Sequence, residues 1–196
     1  LPLIKRLALN SRRSLALTIL IVVPALLAAC GIQTSVPINQ ARFSPSFSAS
    51  KFSGYKGKQI NLISFRNSAE KTDGYSYFSY ALKTMYSSQQ APLGTYFRSC
   101  FRDGFRRAGM RVLEDEAFPL NIPEFGLIIT ELNDMRFEFR ATVTRDGHSV
   151  LEKLYAVDME PYSGSDTARL EKRAYTMVDR AIIAVLADPD FRKIWD

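Results

Sequence analysis

The sequence predicts an α+β fold, a two-layer sandwich in which a mostly antiparallel sheet of about 4–5 strands carries two main helices on one face. Three observations lead there. Leu93, Phe97, Phe101, Phe105 and Ala108 recur at helical spacing and form one apolar stripe. Asp146-Gly147, a favoured pair for a two-residue hairpin turn, separates two alternating runs, Arg136–Arg145 and His148–Glu160. A second helical stripe, Leu170, Ala174, Met177, Val178, Ala181, Ile182 and Val185, follows Asp166, a good N-cap residue.

Taken in order, the first strand is Ile60–Phe65, whose apolar side chains on both parities suit an interior position. Residues 66–92 read as an insertion that begins polar and turns aromatic, with a short helix over Phe78–Tyr86. Loops this long are uncommon in compact domains unless they serve a function. Tyrosine offers an interface a large apolar body with a hydrogen-bonding tip. Tyr75, Tyr77, Phe78 and Tyr80, with Tyr86 beyond them, are therefore the candidate partner-binding residues; an extra core helix is the structural alternative.

The helix from Leu93 to Ala108 opens after Pro92 and stops at Gly109, both favoured positions. Its other faces carry Arg98, Arg102, Asp103, Arg106 and Arg107, which read as a solvated surface more readily than as an anion site. Met110–Glu114 and Phe125–Leu132 supply two further strands. An unbroken two-residue hairpin would set Phe137 opposite Ala156, Phe139 opposite Leu154 and Val143 opposite Val150. That register leaves one misfit, Glu152 against Ala141. After Asp188-Pro189, Phe191, Ile194 and Trp195 form a last helical turn that closes one end of the core.

The front of the chain has the three-part build of an export signal. Lys5, Arg6, Arg12 and Arg13 precede an uncharged stretch from Leu15 to Leu27, then small residues. That stretch falls short of the ~20 apolar residues that span a bilayer comfortably. Those four residues are the only charges before Cys30, so the remainder holds 22 of the 26 basic residues against all 20 acidic ones. The net +6 of the whole chain thus falls to +2, an ordinary surface, and nucleic-acid binding loses its main support.

Leu27-Ala28-Ala29-Cys30 resembles the lipobox of bacterial lipoproteins. The resemblance implies a signal peptide over 1–29, cleavage between Ala29 and Cys30, a diacylglyceryl group on the Cys30 sulfur and acylation (palmitate in type) of the new amine. It further implies a periplasm-facing protein held to the membrane by lipid; Gly31, in place of the aspartate that retains such proteins in the inner membrane, points to the outer membrane. With Cys30 modified, Cys100 has no disulfide partner and reads as a small buried hydrophobe on its helix. Residues 30–58, rich in Ser, Pro, Gly and Gln, read as a flexible tether, and 59–196 as a single periplasmic domain. The order of elements, the Phe-rich helix ending in Ala108-Gly109, and the ending Ala187-Asp188-Pro189-Asp190-Phe191 resemble small envelope lipoproteins of the YajG type and others with a domain like the N-terminal domain of TolB. No functional residue carries over from that second resemblance.

Motifs of chemistry are sparse. The single histidine, His148, sits beside a turn, whereas metal sites and general-base triads want histidine in company. The glycines form no phosphate-binding loop and no nucleophile elbow. Glu114-Asp115-Glu116 lies at a strand-to-loop junction, unlike a catalytic carboxylate pair drawn from separate elements. The expectation is a protein without enzymatic activity, metal or cofactor: an accessory or assembly subunit of a cell-envelope machine, with an envelope protein as partner. The alternative is a periplasmic binding module for a glycan or lipid. A deep apolar pocket would favour the second, and a flat or strand-edge surface the first.

Overall fold

A computed structural model describes residues 34–68, 76–79, 84–88, 92–114, 121–162, 164 and 166–196. Thr34 to Asp196 form one compact unit. Its main sheet has five strands in the order β5-β2-β6-β7-β8: β2 (Gln59–Asn67), β5 (Arg111–Leu113), β6 (Glu124–Leu132), β7 (Arg136–Arg145) and β8 (His148–Asp158). Helices α1 (Leu93–Arg107) and α2 (Thr167–Ala187) cover one face, giving the two-layer α+β sandwich. The sheet is mixed: β2 runs parallel to both β5 and β6, while β6-β7-β8 is antiparallel. Helix α1 accounts for the β2–β5 pair, because those strands are joined through it, and such a crossover brings the chain back in the same direction.

The phenylalanine stripe does what its spacing predicts. Phe97 stacks on Phe137 at 4.7 Å between centroids, Phe101 on Phe125 at 5.7 Å, and Phe105 on Phe191 at 5.8 Å. Such offset aromatic pairs add to the gain from burial. Two glycines let α1 lie flush on its neighbours. A Cβ at Gly94 would overlap the Phe65 carbonyl oxygen, and one at Gly104 would come within 2.6 Å of the Ile182 side chain. At the far end of the core, Phe191 of the short helix α3 (Pro189–Lys193) meets Tyr55, Phe125 and Trp195.

Residues 34–58 are not a flexible tether. Strand β1 (Thr34–Ile38) and two 3-10 turns, Gln40–Arg42 and Ala49–Tyr55, bury Val36, Ile38, Phe43, Phe47, Phe52 and Tyr55 in the same core. The segment runs along α2 and is bonded to it at successive levels. The Asn39 amide donates to the Tyr175 hydroxyl, Ser46 donates through its amide and its hydroxyl to the buried Asp179 carboxylate, and the Tyr55 hydroxyl donates to the Leu186 carbonyl. A tether reading expects scattered apolar residues to be solvated; here each fills a place defined by α2.

The expected helix over Phe78–Tyr86 is replaced by two strands, β3 (Ser76–Ser79) and β4 (Thr84–Ser88). They pair antiparallel, with Tyr77 opposite Tyr86 and Phe78 opposite Met85, and β4 pairs in parallel with β1. Aromatic cross-strand pairs favour this ladder over a helix. The result is a second, three-stranded sheet in the order β1-β4-β3.

The β7–β8 turn has positive φ at both Asp146 (53°) and Gly147 (77°), as a type I′ turn requires. Its register holds only for Arg145–His148 and Thr144–Ser149. Val150 is then extra, and beyond it Phe137 faces Val157 and Phe139 faces Tyr155, one residue away from the expected pairing. The bulge resolves the misfit at Glu152, which lies opposite Thr142 instead of Ala141.

Candidate functional site

The bulge at Val150 decides what the uncovered face of the main sheet displays. Because side chains alternate along a strand, a one-residue shift sends Tyr155 and Val157 into the core and Leu154 out. Leu154 is 54% exposed, Val150 47%, Ile63 42% and Ile128 37%. Large exposed hydrophobics among the described residues are these four and Met135 in the β6–β7 turn; Ile63, Ile128 and Leu154 face away from the helices, and Val150, at the bulge, lines the edge beside β8. Register lines up Arg66, Ile128, Arg140 and Leu154 across four strands. Beside that row Gly126 is buried, and a Cβ there would come within 3.0 Å of the Thr142 hydroxyl and 3.8 Å of Ile63.

Polar groups frame these apolar positions. At one end Arg136 fans out to Glu131 (3.2 Å), Glu138 (2.8 Å) and Asp158 (2.7 Å), and Thr130 donates to Glu138. Hydrogen bonds from Arg136 and Thr130 hold the Glu138 carboxyl below its usual range. Arg140 pairs with Glu152 across β7 and β8, and Thr144 donates to Glu124 at the other end. Exposed ion pairs of this kind contribute little to stability, typically under ~1 kcal/mol. An apolar centre inside a polar frame on an uncovered sheet face is instead the anatomy of a docking surface.

The inner side of β8 carries a second cluster. Asp188, whose side chain is only 4% exposed, caps α3 by accepting from the Asp190 amide. It also accepts from the Tyr155 hydroxyl at 2.6 Å and pairs with Lys153 at 2.8 Å. Burial acts to raise its carboxyl, but Lys153, Tyr155 and the Asp190 amide outweigh it and hold the group below the usual carboxylate range. Burial, then the bond to Asp188, pushes the Tyr155 phenol well above its normal value. Lys153 is thus a charge turned to the inner side of an edge strand, a device that discourages edge-to-edge pairing. Beside it, between β8 and α3, opens a cleft of about 670 Å³ lined by Arg145, Glu152, Lys153, Asp190 and Lys193 together with Val150, Leu151 and Ile194. It is a charged, open cleft rather than a deep apolar pocket.

Asp188→Ala is expected to lower the unfolding free energy by about 2–4 kcal/mol at neutral pH, through a lost cap and two stranded partners. Since the folded carboxyl titrates below its unfolded value of about 3.9, its contribution is present above that pH and fades as pH falls through the folded value. Denaturant melts at pH 7 and pH 3 check this: the gap between the proteins should narrow in acid, and an unchanged gap would exclude the carboxylate charge as its cause.

The residues singled out from the sequence are scattered. Ala29, Cys30, Tyr75 and Tyr80 lie outside the described residues, as do Asp115 and Glu116. Tyr77 and Phe78 are in β3 and Tyr86 in β4. Cys100 is fully buried in α1, and burial pushes its thiol far up, the state of an inert cysteine. The arginines of α1 are largely spent on the fold: Arg98 donates to the Leu62 carbonyl, Arg107 to that of Phe47, and Arg102 pairs with Asp103 and Glu114. His148 is exposed in the first position of β8. Leu154 and Val150, expected opposite Phe139 and Val143 on the apolar face, are exposed instead, because nothing in the alternation of β8 announces its bulge.

No family model matches the chain, and no curated protein matches it. In the solved structures the chain is similar to protein XCC0632 from Xanthomonas campestris, a crystal structure described with the family model DUF330. The TM-score is 0.54 at 11% identity, over 83% of this chain and 98% of that one. At that identity the likeness is one of fold.

Proposed function

We propose that this chain is a lipid-anchored lipoprotein of the bacterial envelope, facing the periplasm from the outer membrane and acting as a non-catalytic accessory or assembly subunit of an envelope machine. The lipobox at Leu27–Cys30 supports the address, and the uncovered sheet face supports the role. One observation carries the choice between a protein partner and a small ligand. Ile63, Ile128 and Leu154 stand exposed on the uncovered, polar-framed sheet face, whereas the cleft beside β8 is open and charged. An exposed apolar patch within a polar frame suits a protein surface; a glycan or lipid is better held in a deep concave site.

A photo-crosslinking residue at Leu154, in intact cells, is expected to yield one discrete heavier adduct. The same residue at Lys172, exposed on α2, is expected to yield none. Adding Ile128→Asp should abolish the adduct while leaving the unfolding midpoint within about 1 kcal/mol of the parent, as surface changes usually do. Equal labelling from both positions, or an adduct indifferent to Ile128→Asp, would end the docking assignment.

A further inference from the structure

Charge is unevenly laid along the chain. Residues 34–68 carry five basic residues and no acidic one, and residues 104–113 carry three basic and no acidic. These two stretches hold eight of the 22 basic residues beyond Cys30 and none of the 20 acidic ones, so the near-neutral total conceals a polarised surface. The fold brings them together. The Gly57 amide donates to the Gly109 carbonyl at 2.9 Å, and the Arg111 amide to that of Lys58 at 2.8 Å. Gly109 also lies against Lys56, and its own amide donates to the Arg106 carbonyl. Arg107 reaches the Phe47 carbonyl, while Arg192 and Lys51 line one cleft of about 380 Å³. Lys51, Lys56, Arg106, Arg107 and Arg192, all exposed, are thereby gathered where α1 ends and the Ala49–Tyr55 turn meets the end of α2.

Among the described residues none of these five cations has a carboxylate within ion-pair distance. Asp103, Glu114 and Asp190, which are near in sequence, are already paired with Arg102, Lys153 and Lys193. Arg106 and Arg107 suit the partial negative charge at the end of α1, but that accounts for two cations and not for five. The kind of partner follows from what accompanies the charge. Protein interfaces centre on apolar or aromatic anchors, and single-stranded nucleic acids stack on exposed rings. Here Phe47, Phe52 and Tyr55 are buried, and the large exposed hydrophobics of the described residues lie elsewhere. Cations on long flexible stems, without an apolar anchor, match a plane of many diffuse negative charges. We infer that this end of the domain rests on an anionic phospholipid bilayer, through Lys51, Lys56, Arg106, Arg107 and Arg192. The surface is apart from the sheet face proposed above for a protein partner, and its charge is the same with or without an acyl group on Cys30.

The test uses the full protein with a fluorescent amino acid in place of Ser53, exposed in the turn, or of Lys172, exposed roughly 20 Å away along α2. Vesicles of phosphatidylcholine alone, or with one lipid in three replaced by phosphatidylglycerol, carry a quencher on their headgroups. Quenching at position 53 is expected to be several-fold greater on the phosphatidylglycerol vesicles. It should fall to the neutral-lipid level as salt nears 1 M, where the screening length is about 3 Å. Quenching at position 172 should not respond to lipid charge. Two double variants, Lys51→Gln with Arg192→Gln and Lys56→Gln with Arg106→Gln, are made separately, so that one misfolded variant does not decide the matter. Near a charged bilayer each cation contributes about fivefold to partition, so either pair should remove most of the response at 53. Equal quenching at 53 on both kinds of vesicle overturns the inference. A response that survives both pairs, or that appears equally at 172, also overturns it, since lipid charge would then be read by another part of the chain.

Discussion

A chain beginning at Gln59 is expected to show no cooperative unfolding, although it retains the five-stranded sheet and all three helices. The truncation removes Val36, Ile38, Phe43, Phe47, Phe52 and Tyr55 from the core. Burying a large apolar side chain contributes about 1.5–3 kcal/mol, so these six together rival the roughly 5–15 kcal/mol by which a typical domain is stable. The loss also uncovers one side of α2 and strips the buried Asp179 of both its Ser46 donors. Circular dichroism and urea unfolding of residues 59–196 against 34–196 decide the question. A truncated chain that melts in one sharp transition near the parent midpoint would show that the segment lies on the fold without supporting it.

Cys30→Ser is expected to have an equally complete effect on location. A single acyl chain binds a membrane reversibly and two or three bind it stably, at ~0.8 kcal/mol for each buried CH₂. Serine offers no thioether, so both the acyl groups and the processing that depends on them should disappear. Fractionation and intact mass report the result: uncut precursor or soluble product, without acyl label. A mutant retained in the membrane as well as the parent, at a mass differing only by the substitution, would refute the lipobox assignment.

The parts of the fold that follow from local periodicity were legible in the sequence. The stripe of α1, the Asp166 cap and the Asp146-Gly147 turn each express an interaction between residues close in sequence, and each is present. The parts that depend on partners more than a hundred residues away were not. Phe43, Phe47 and Phe52 have no period because 3-10 turns and extended links carry them, and only α2 and its surroundings make their positions apolar. The same holds for the candidate site. Val150 and Leu154 belong to an alternating strand whose inward face is fixed by one extra residue, and the energy of placing Tyr155 beside Asp188 is invisible until α3 is in view. The parallel β2–β5 pair was hidden for a related reason: its direction is set by the α1 crossover, not by the strands.

The bonds from residues 39–55 to α2 also govern when the domain can form. Asn39 and Tyr175 are 136 residues apart, Ser46 and Asp179 133, Tyr55 and Leu186 131. A polypeptide emerges from the ribosome N-terminus first, so the earliest segment of the domain can meet β4 and α1 but waits for almost the last segment to complete its bonds to α2. Contacts of such sequence separation close slowly, since the entropy of the intervening loop is lost before the contact is gained. Until α2 is complete, the burial of Phe43, Phe47 and Phe52 is unfinished, which leaves apolar surface available to chaperones and proteases. A chain arrested before Tyr175 would therefore be a degradation substrate rather than a folded domain, which ties the survival of the product to synthesis of its long C-terminal helix α2.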